Sequence, residues 1–114
     1  MKEIYGEISY KGVDYKLAFN LNVMERIQDG YGSLSEWGKK TDGQEGEPDI
    51  KALIFGFTEM INEGIDIMNE DGAGLEPMTH KQVGRMISSV GLEKAVGILN
   101  TTVVRSTEDN EKNA

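Results

Sequence analysis

The sequence contains no cysteine. Without a thiol the chain has no disulfide, no thiolate zinc site, no iron–sulfur cluster and no cysteine nucleophile. Small secreted domains often depend on disulfides, so the absence of cysteine favours a reducing compartment. Cysteine-based redox and metal chemistry are therefore excluded for this chain.

Histidine is almost as scarce, since His80 is the only one. A lone histidine cannot build the usual zinc site without cysteine or further histidines. His80 stands one residue after Thr79, in the first turn of a predicted helix, and we interpret it as exposed. The sequence also lacks a Gly-Lys-Ser/Thr phosphate loop and a serine in the glycine-flanked pattern of a nucleophile elbow. No catalytic site is predicted, and no cofactor or metal.

Positive charge is in short supply, with 12 basic and 20 acidic residues and a net charge of -8. Nucleic-acid binding requires a basic patch, and no basic run here exceeds Lys39-Lys40. We therefore expect no nucleic-acid partner and no attraction to anionic lipid. No apolar run approaches the about 20 residues of a membrane span. Residues 1–10 lack the apolar segment of a signal peptide, so a cytoplasmic location is expected. The acidity either keeps the chain soluble or steers a basic partner.

The beginning of the chain predicts a β-hairpin, with Lys11-Gly12 as its tight turn and Gly12 at positive φ. Because side chains alternate along a strand, this turn places the apolar side chains on one face. The predicted pairs on that face are Tyr10–Val13, Ile8–Tyr15, Gly6–Leu17 and Ile4–Phe19, and the other face pairs Glu7 with Lys16. An isolated hairpin is only marginally stable, so the apolar face must pack on the rest of the chain.

Helical spacing of apolar residues dominates the chain after the hairpin. A first helix begins at Asn20 or Asn22, ends at Gly30 or Gly32, and is followed by a short helical turn from Ser33. For Asn22 the spacing to the glutamate three residues later also indicates a capping box.

The longest helix is predicted over residues 50–69, where Gly56 and Gly64 weaken it by up to about 1 kcal/mol each relative to alanine. We expect these glycines to allow close packing by a neighbouring element. A helix with a Thr79 capping box and a last helix after Gly91 complete the pattern.

Three segments have no apolar periodicity. Residues 38–48 predict a mobile loop, residues 70–78 a second loop, and residues 106–114 a disordered acidic tail. The chain length fits one domain. We therefore predict an α+β fold, namely a mainly helical single domain over residues 1–105 with an N-terminal β-hairpin packed on about four helices.

Two binding motifs fail at particular positions. The stretch GYGSLS would need a third glycine where Ser35 stands to resemble a dinucleotide loop. An EF-hand with Gly72 in its sixth position would place Ile67 and Met78 where oxygen ligands are needed. We interpret the acidic segment around Asp71 as a solvated turn between two helices.

An acidic cleft remains the alternative to a protein-binding role. Glu59 and Glu63 stand four apart on the polar face of the longest helix, where a solvated face is more common than an acid–base pair. A convergent polar pocket around Asp71, His80 or Glu59 would favour a small ligand- or metal-binding regulator or enzyme.

The methionines are either core filler or part of an adaptable binding surface.

The order of elements resembles the tail assembly chaperones of long-tailed bacteriophages and prophages of Gram-positive bacteria. The resemblance rests on a strand-turn-strand opening that runs into a helix, ISYKGVDYKLAFNLNVMERI, and on the phrase GSLSEW after it. It continues with a long apolar helix, DIKALIFGFTEMINEGIDI, and a threonine-led helix, MTHKQVGRMI. Together these phrases lie within residues 4–104.

The resemblance implies a non-enzymatic role in virion morphogenesis. Such chaperones bind the tape-measure and tail-tube proteins before the tail is built, and self-association is a further expectation. Many are made in two lengths through a programmed ribosomal frameshift. Residues 111–113, Glu-Lys-Asn, permit the slippery codon run that such a frameshift requires.

Overall fold

The computed structural model describes residues 4–41 and 46–112. Its first two elements are the strands β1 (Ile4–Tyr10) and β2 (Val13–Ala18), which form an antiparallel hairpin. The turn residues Lys11 and Gly12 both have positive φ, 50° and 79°. A two-residue turn of this hand matches the twist of the strands that it joins. The predicted pairing is confirmed from the turn as far as Gly6 and Leu17.

The pairing predicted at the open end of the hairpin is wrong. Ile4 lies opposite Ala18 rather than Phe19, because a β-bulge between Ile4 and Gly6 shifts the register. The bulge releases Phe19 from the ladder. Its ring is 3% exposed and stacks on Trp37 at a centroid distance of 6.3 Å. Burial of the Phe19 ring is therefore favoured over the pairing of Phe19 with Ile4 in the hairpin.

Five helices follow the hairpin and complete the predicted α+β fold. They are α1 (Leu21–Tyr31), α2 (Leu34–Thr41), α3 (Ile50–Glu70), α4 (His80–Val90) and α5 (Leu92–Lys112). Asn20 caps α1, Gly32 ends it at a φ of 87°, and the Thr79 capping box forms in full. The count exceeds the predicted four because the turn capped by Ser33 extends into a helix of its own.

Helix α2 runs into the segment that the sequence predicted as a loop. Thr41 is 1% exposed, and its Oγ1 donates to the Trp37 carbonyl oxygen at 3.2 Å. Burial of this threonine extends the helix past Gly38, which the lack of apolar residues did not indicate. The rest of the predicted mobile loop includes residues 42–45, which lie outside the described residues.

Helix α5 likewise continues beyond residue 105, where the sequence predicted a disordered tail. Ser106 is 2% exposed, and its hydroxyl donates to the Thr102 carbonyl oxygen at 2.9 Å. Thr102 is itself fully buried and donates to the Ile98 carbonyl oxygen at 2.8 Å. Small hydroxyl side chains bonded to the preceding turn thus extend the buried face without apolar residues. Residues 113–114 lie outside the described part of the chain.

Helix α3 is the centre of the core and packs against β2, α1, α2 and α4. Both of its glycines are sites of close approach, as the sequence predicted. A Cβ on Gly56 would overlap the Trp37 ring, and a Cβ on Gly64 would overlap the Lys16 carbonyl group. The Trp37 Nε1 atom also donates to the Ala52 carbonyl oxygen of α3 at 3.0 Å. These contacts fix α2 and the hairpin at two separate positions along α3.

Helix α5 packs on β1, where a Cβ on Gly6 would overlap the Thr102 hydroxyl. The side chains of Ile8, Leu17, Ala95 and Leu99 are buried in the same core. Among the described residues, no helix combines the length and the apolar character that crossing a membrane requires.

Candidate functional site

A polar cleft of about 420 Å³ lies between α1 and α3. It is lined by the side chains of Asn22, Val23, Glu25, Arg26, Glu59, Asn62, Glu63 and Asp66. The cleft contains both carboxylates that the sequence placed on the polar face of α3. It is the feature that the ligand-binding alternative requires around Glu59.

Two of the carboxylates in this cleft, Glu59 and Glu63, already have protein partners. The Glu59 Oε1 atom lies 3.8 Å from the Arg26 Nε atom, and the Glu59 side chain is 26% exposed. The Glu63 Oε2 atom accepts hydrogen bonds from the side-chain amides of Asn20 at 2.8 Å and Asn22 at 3.0 Å. These contacts join the beginning of α1 to the middle of α3. The arrangement fastens two helices together.

Asn22 therefore does not form the predicted capping box. The α1 cap is Asn20, whose Oδ1 atom accepts from the Val23 backbone N–H at 3.3 Å. Asn22 instead directs its amide to Glu63, 41 residues further along the chain. Sequence spacing showed two candidate caps but gave no sign of this long-range partner.

The other residues of the alternative site are not part of this cleft. Asp71 caps the C-terminus of α3, and His80 is the first residue of α4. Both are exposed, His80 as predicted, and neither lines the cleft that contains Glu59. Among the described residues, no group of three or more histidine, aspartate or glutamate side chains is arranged to hold a metal ion.

The loop between α3 and α4 is fastened by two asparagines whose role the sequence did not reveal. Asn62 donates its amide to the Met78 carbonyl oxygen at 3.0 Å and accepts from the Met78 N–H at 2.8 Å. Asn69 does the same for Leu75, at 2.9 and 2.8 Å. Two asparagines seven apart on one helix face are the only signal of this arrangement in the sequence. The Asn69 side chain is thereby occupied with the loop backbone.

The methionines are divided between core and partly exposed positions. Met60 and Met86 are fully buried, which confirms core filling for those two. Met24 and Met78 are half-buried at the margin of the core, and Met68 is half-buried as well. Large apolar side chains that are clearly exposed lie elsewhere, at Leu21, Ile50, Leu92 and Val104.

A second groove, of about 390 Å³, lies between β1 and α5. The strand contributes Gly6 and Glu7 to it, while the helix contributes Lys94, Gly97, Ile98, Thr101, Thr102 and Arg105. The hairpin has two strands, so in the described part of the chain β1 has no hydrogen-bonded neighbour other than β2. This groove therefore joins an unpaired strand edge to the side of a helix.

Comparison with known proteins does not place the chain in a family. No protein-family model, curated protein or solved structure matches the sequence or the fold.

Proposed function

We propose that this chain is a non-enzymatic chaperone of phage tail assembly, which binds the tape-measure and tail-tube proteins in the cytoplasm of the bacterial host. The order of its elements carries the proposal. A hairpin leads directly into α1, α2 and the long central helix α3, and the threonine-capped helix α4 follows. This is the order in which the phrases resembling such chaperones occur in the sequence.

The surface of the domain is suited to contacts with other proteins. Leu21 is 78% exposed and Val104 is 53% exposed, which leaves apolar side chains available to a partner. The unpaired edge of β1 offers backbone groups that an extended segment can bind. Both features support recognition of a polypeptide rather than of a small molecule.

Co-expression with a tape-measure protein tests the proposal directly. The gene for a large tape-measure-like protein near this one would be expressed with the chain, with an unrelated small acidic protein, or alone. The soluble fraction of the tape-measure protein is expected to rise only with this chain. Equal soluble fractions in all three cultures would contradict the chaperone role.

The codons of the last residues provide a second test. A frameshift signal requires residues 111–113 to be encoded GAA-AAA-AAC or GAA-AAA-AAT, with an overlapping reading frame downstream. A longer product that begins with this sequence is then expected by mass spectrometry in infected or induced cells. Other codons, or no overlapping frame, would remove the frameshift from the proposal while leaving the binding role to the co-expression test.

The polar cleft gives the ligand-binding alternative geometric support at Glu59, and not at Asp71 or His80. Because Arg26 and two asparagine amides already contact Glu59 and Glu63, the cleft is explained as a joint between helices. Titration calorimetry with Ca²⁺ and Mg²⁺ separates the two interpretations. Saturable binding that is lost in Glu63→Gln and kept in the exposed control Glu70→Gln would favour the alternative.

A further inference from the structure

The outer edge of β1 has backbone groups that no other strand binds. Tyr10 and Val13 close the two-residue turn, so their pair is hydrogen-bonded, and hydrogen-bonded pairs alternate with non-bonded ones along the hairpin. Glu7 and Ser9 therefore occupy the non-bonded positions, and their N–H and C=O groups point away from β2. Among the described residues, neither backbone forms a hydrogen bond with another part of the chain.

The corresponding edge of β2 is covered. The Lys16 carbonyl group occupies a non-bonded position, and it faces Gly64 of α3 so closely that a Cβ there would overlap it. One edge of the hairpin is thus closed by a helix, while the other opens onto the groove beside α5. Exposed strand edges are ready sites for pairing with another polypeptide.

The wall of this groove is a row of exposed residues on α5: Lys94, Gly97, Thr101 and Arg105. A Cβ on Gly97 would meet no atom within 4 Å, so the middle of the row is open. A strand added to β1 would lie about 4.8 Å from it and pass beneath this row. Side chains on one face of the added strand would then point towards α5.

The charges of this wall are positive in a chain whose net charge is -8. Lys94 and Arg105 lie at its two ends, and no carboxylate in the part of the chain with described side chains lies within 4.0 Å of either. Glu7 also lines the groove, but alternation along β1 directs its side chain to the face opposite that of Gly6, where it is paired with Lys16 in the register. The groove therefore favours carboxylates on the side that faces α5.

We propose that the edge of β1 binds an extended acidic peptide segment, which adds a third strand to the hairpin and places carboxylates against Lys94 and Arg105. The inference rests on the proposed function in that the segment belongs to a protein partner. Glu7 and Ser9 supply two donors and two acceptors to the added strand. The two cations are 11 residues apart on α5, about 16 Å along its axis. Carboxylates about four to six positions apart in the segment match that separation.

Fluorescence anisotropy with purified chain tests this site. The probes are a labelled peptide of about nine residues that alternates valine or threonine with glutamate, and the same peptide with lysine at every glutamate position. The acidic peptide is expected to bind at least about tenfold more tightly than the basic one. Methylation of its backbone nitrogens on the side facing β1 is expected to abolish binding.

Two matched pairs of variants locate the interaction. Glu7→Pro removes an outward N–H without breaking a ladder bond, and is expected to weaken binding at least about tenfold, whereas Glu7→Thr keeps the N–H and preserves binding. Lys94→Gln with Arg105→Gln is expected to weaken binding similarly. The control replaces two other exposed lysines, as Lys51→Gln with Lys81→Gln, and leaves the residues that line this groove unchanged. Circular dichroism and Trp37 emission verify that each variant is folded.

Several outcomes would overturn the proposal: no acidic peptide binding below about 1 mM, equal binding of both peptides, or undiminished binding by folded Glu7→Pro. A dimer that Glu7→Pro dissociates would assign the edge to a second copy instead. The assay contains no phage protein. If the acidic peptide does not bind but co-expression keeps the tape-measure protein soluble, this edge site alone is refuted. If the peptide binds but co-expression has no effect, the tail chaperone role alone is refuted.

Discussion

Replacing Gly64 with alanine is expected to destabilise the protein, although alanine is the better helix former. Gly64 lies in the middle of α3 and is buried against β2. A Cβ at this position would lie 2.7 Å from the Lys16 carbonyl carbon and closer still to its oxygen. Ordinary van der Waals contact begins at 3.4 Å, so the carbonyl carbon alone requires strand and helix to separate by about 0.7 Å, and the closer oxygen requires more. The obstacle is backbone, which cannot turn aside as a side chain would.

The two opposing effects differ in size. Helix propensity favours alanine over glycine by about 1 kcal/mol. Overpacking of a well-packed core costs about 1–3 kcal/mol or more, and here it also loosens contacts around Leu17 and Ile61, which are fully buried. Because the obstacle is backbone, we expect a cost of about 3 kcal/mol, and the net loss in the free energy of unfolding is then about 2 kcal/mol.

Urea unfolding followed by Trp37 fluorescence measures this loss, because Trp37 is 2% exposed in the folded state. With a slope of about 2 kcal/mol per molar urea, the midpoint should fall by about 1 M. Gly97→Ala is the control, since Gly97 is also inside a helix but a Cβ there meets nothing within 4 Å. That variant should gain up to about 1 kcal/mol. If Gly64→Ala were as stable as Gly97→Ala, the close approach of α3 and β2 would be refuted.

Three further predictions concern the hydrogen bonds of the α3–α4 loop, the cap of α4 and the ionisation of Tyr31. Asn62→Ala leaves the Met78 backbone without its two hydrogen bonds, so the thermal midpoint should fall by the equivalent of about 1–3 kcal/mol. The Met78 amide hydrogen should also exchange faster with solvent, and an unchanged exchange rate would contradict the role of Asn62. Thr79→Ala removes the α4 cap and should cost about 1 kcal/mol in urea unfolding, whereas Thr79→Ser should retain most of it. Burial, and then the charge of Asp49, raise the pKa of Tyr31 above 10.0. The unfolded chain therefore loses this proton first, and stability should fall as the pH rises above about 10. Tyr31→Phe should lessen that fall, and an identical fall in the variant would contradict the assignment.

The hairpin was predictable because its register depends on residues that are close together in the sequence. Two-residue alternation and a lysine-glycine turn specify the register from Tyr10–Val13 to Gly6–Leu17, and the structure confirms these pairs. The prediction is wrong at Ile4, where burial of Phe19 against Trp37 requires a bulge. That aromatic contact spans residues far apart in the chain, so no pattern within the hairpin contains it.

The helix boundaries show the same limit. Thr41 and Ser106 extend α2 and α5 beyond their predicted ends because their hydroxyls bond to carbonyl groups of the preceding turn. An apolar pattern cannot detect burial of this kind. In the polar cleft, the spacing of Glu59 and Glu63 was visible in the sequence. Their partners on α1 were not, since these depend on how two helices pack.

The contact between Gly64 and Lys16 has a consequence for how this fold can vary in evolution. The Lys16 side chain is exposed and takes no part in the contact, which its carbonyl group makes. Residue 16 can therefore change freely while residue 64 has to remain glycine. Because no exchange at one position compensates for a change at the other, the pair would leave no covariation signal. One of the tightest junctions of the domain would then appear in related sequences as a single invariant glycine on α3.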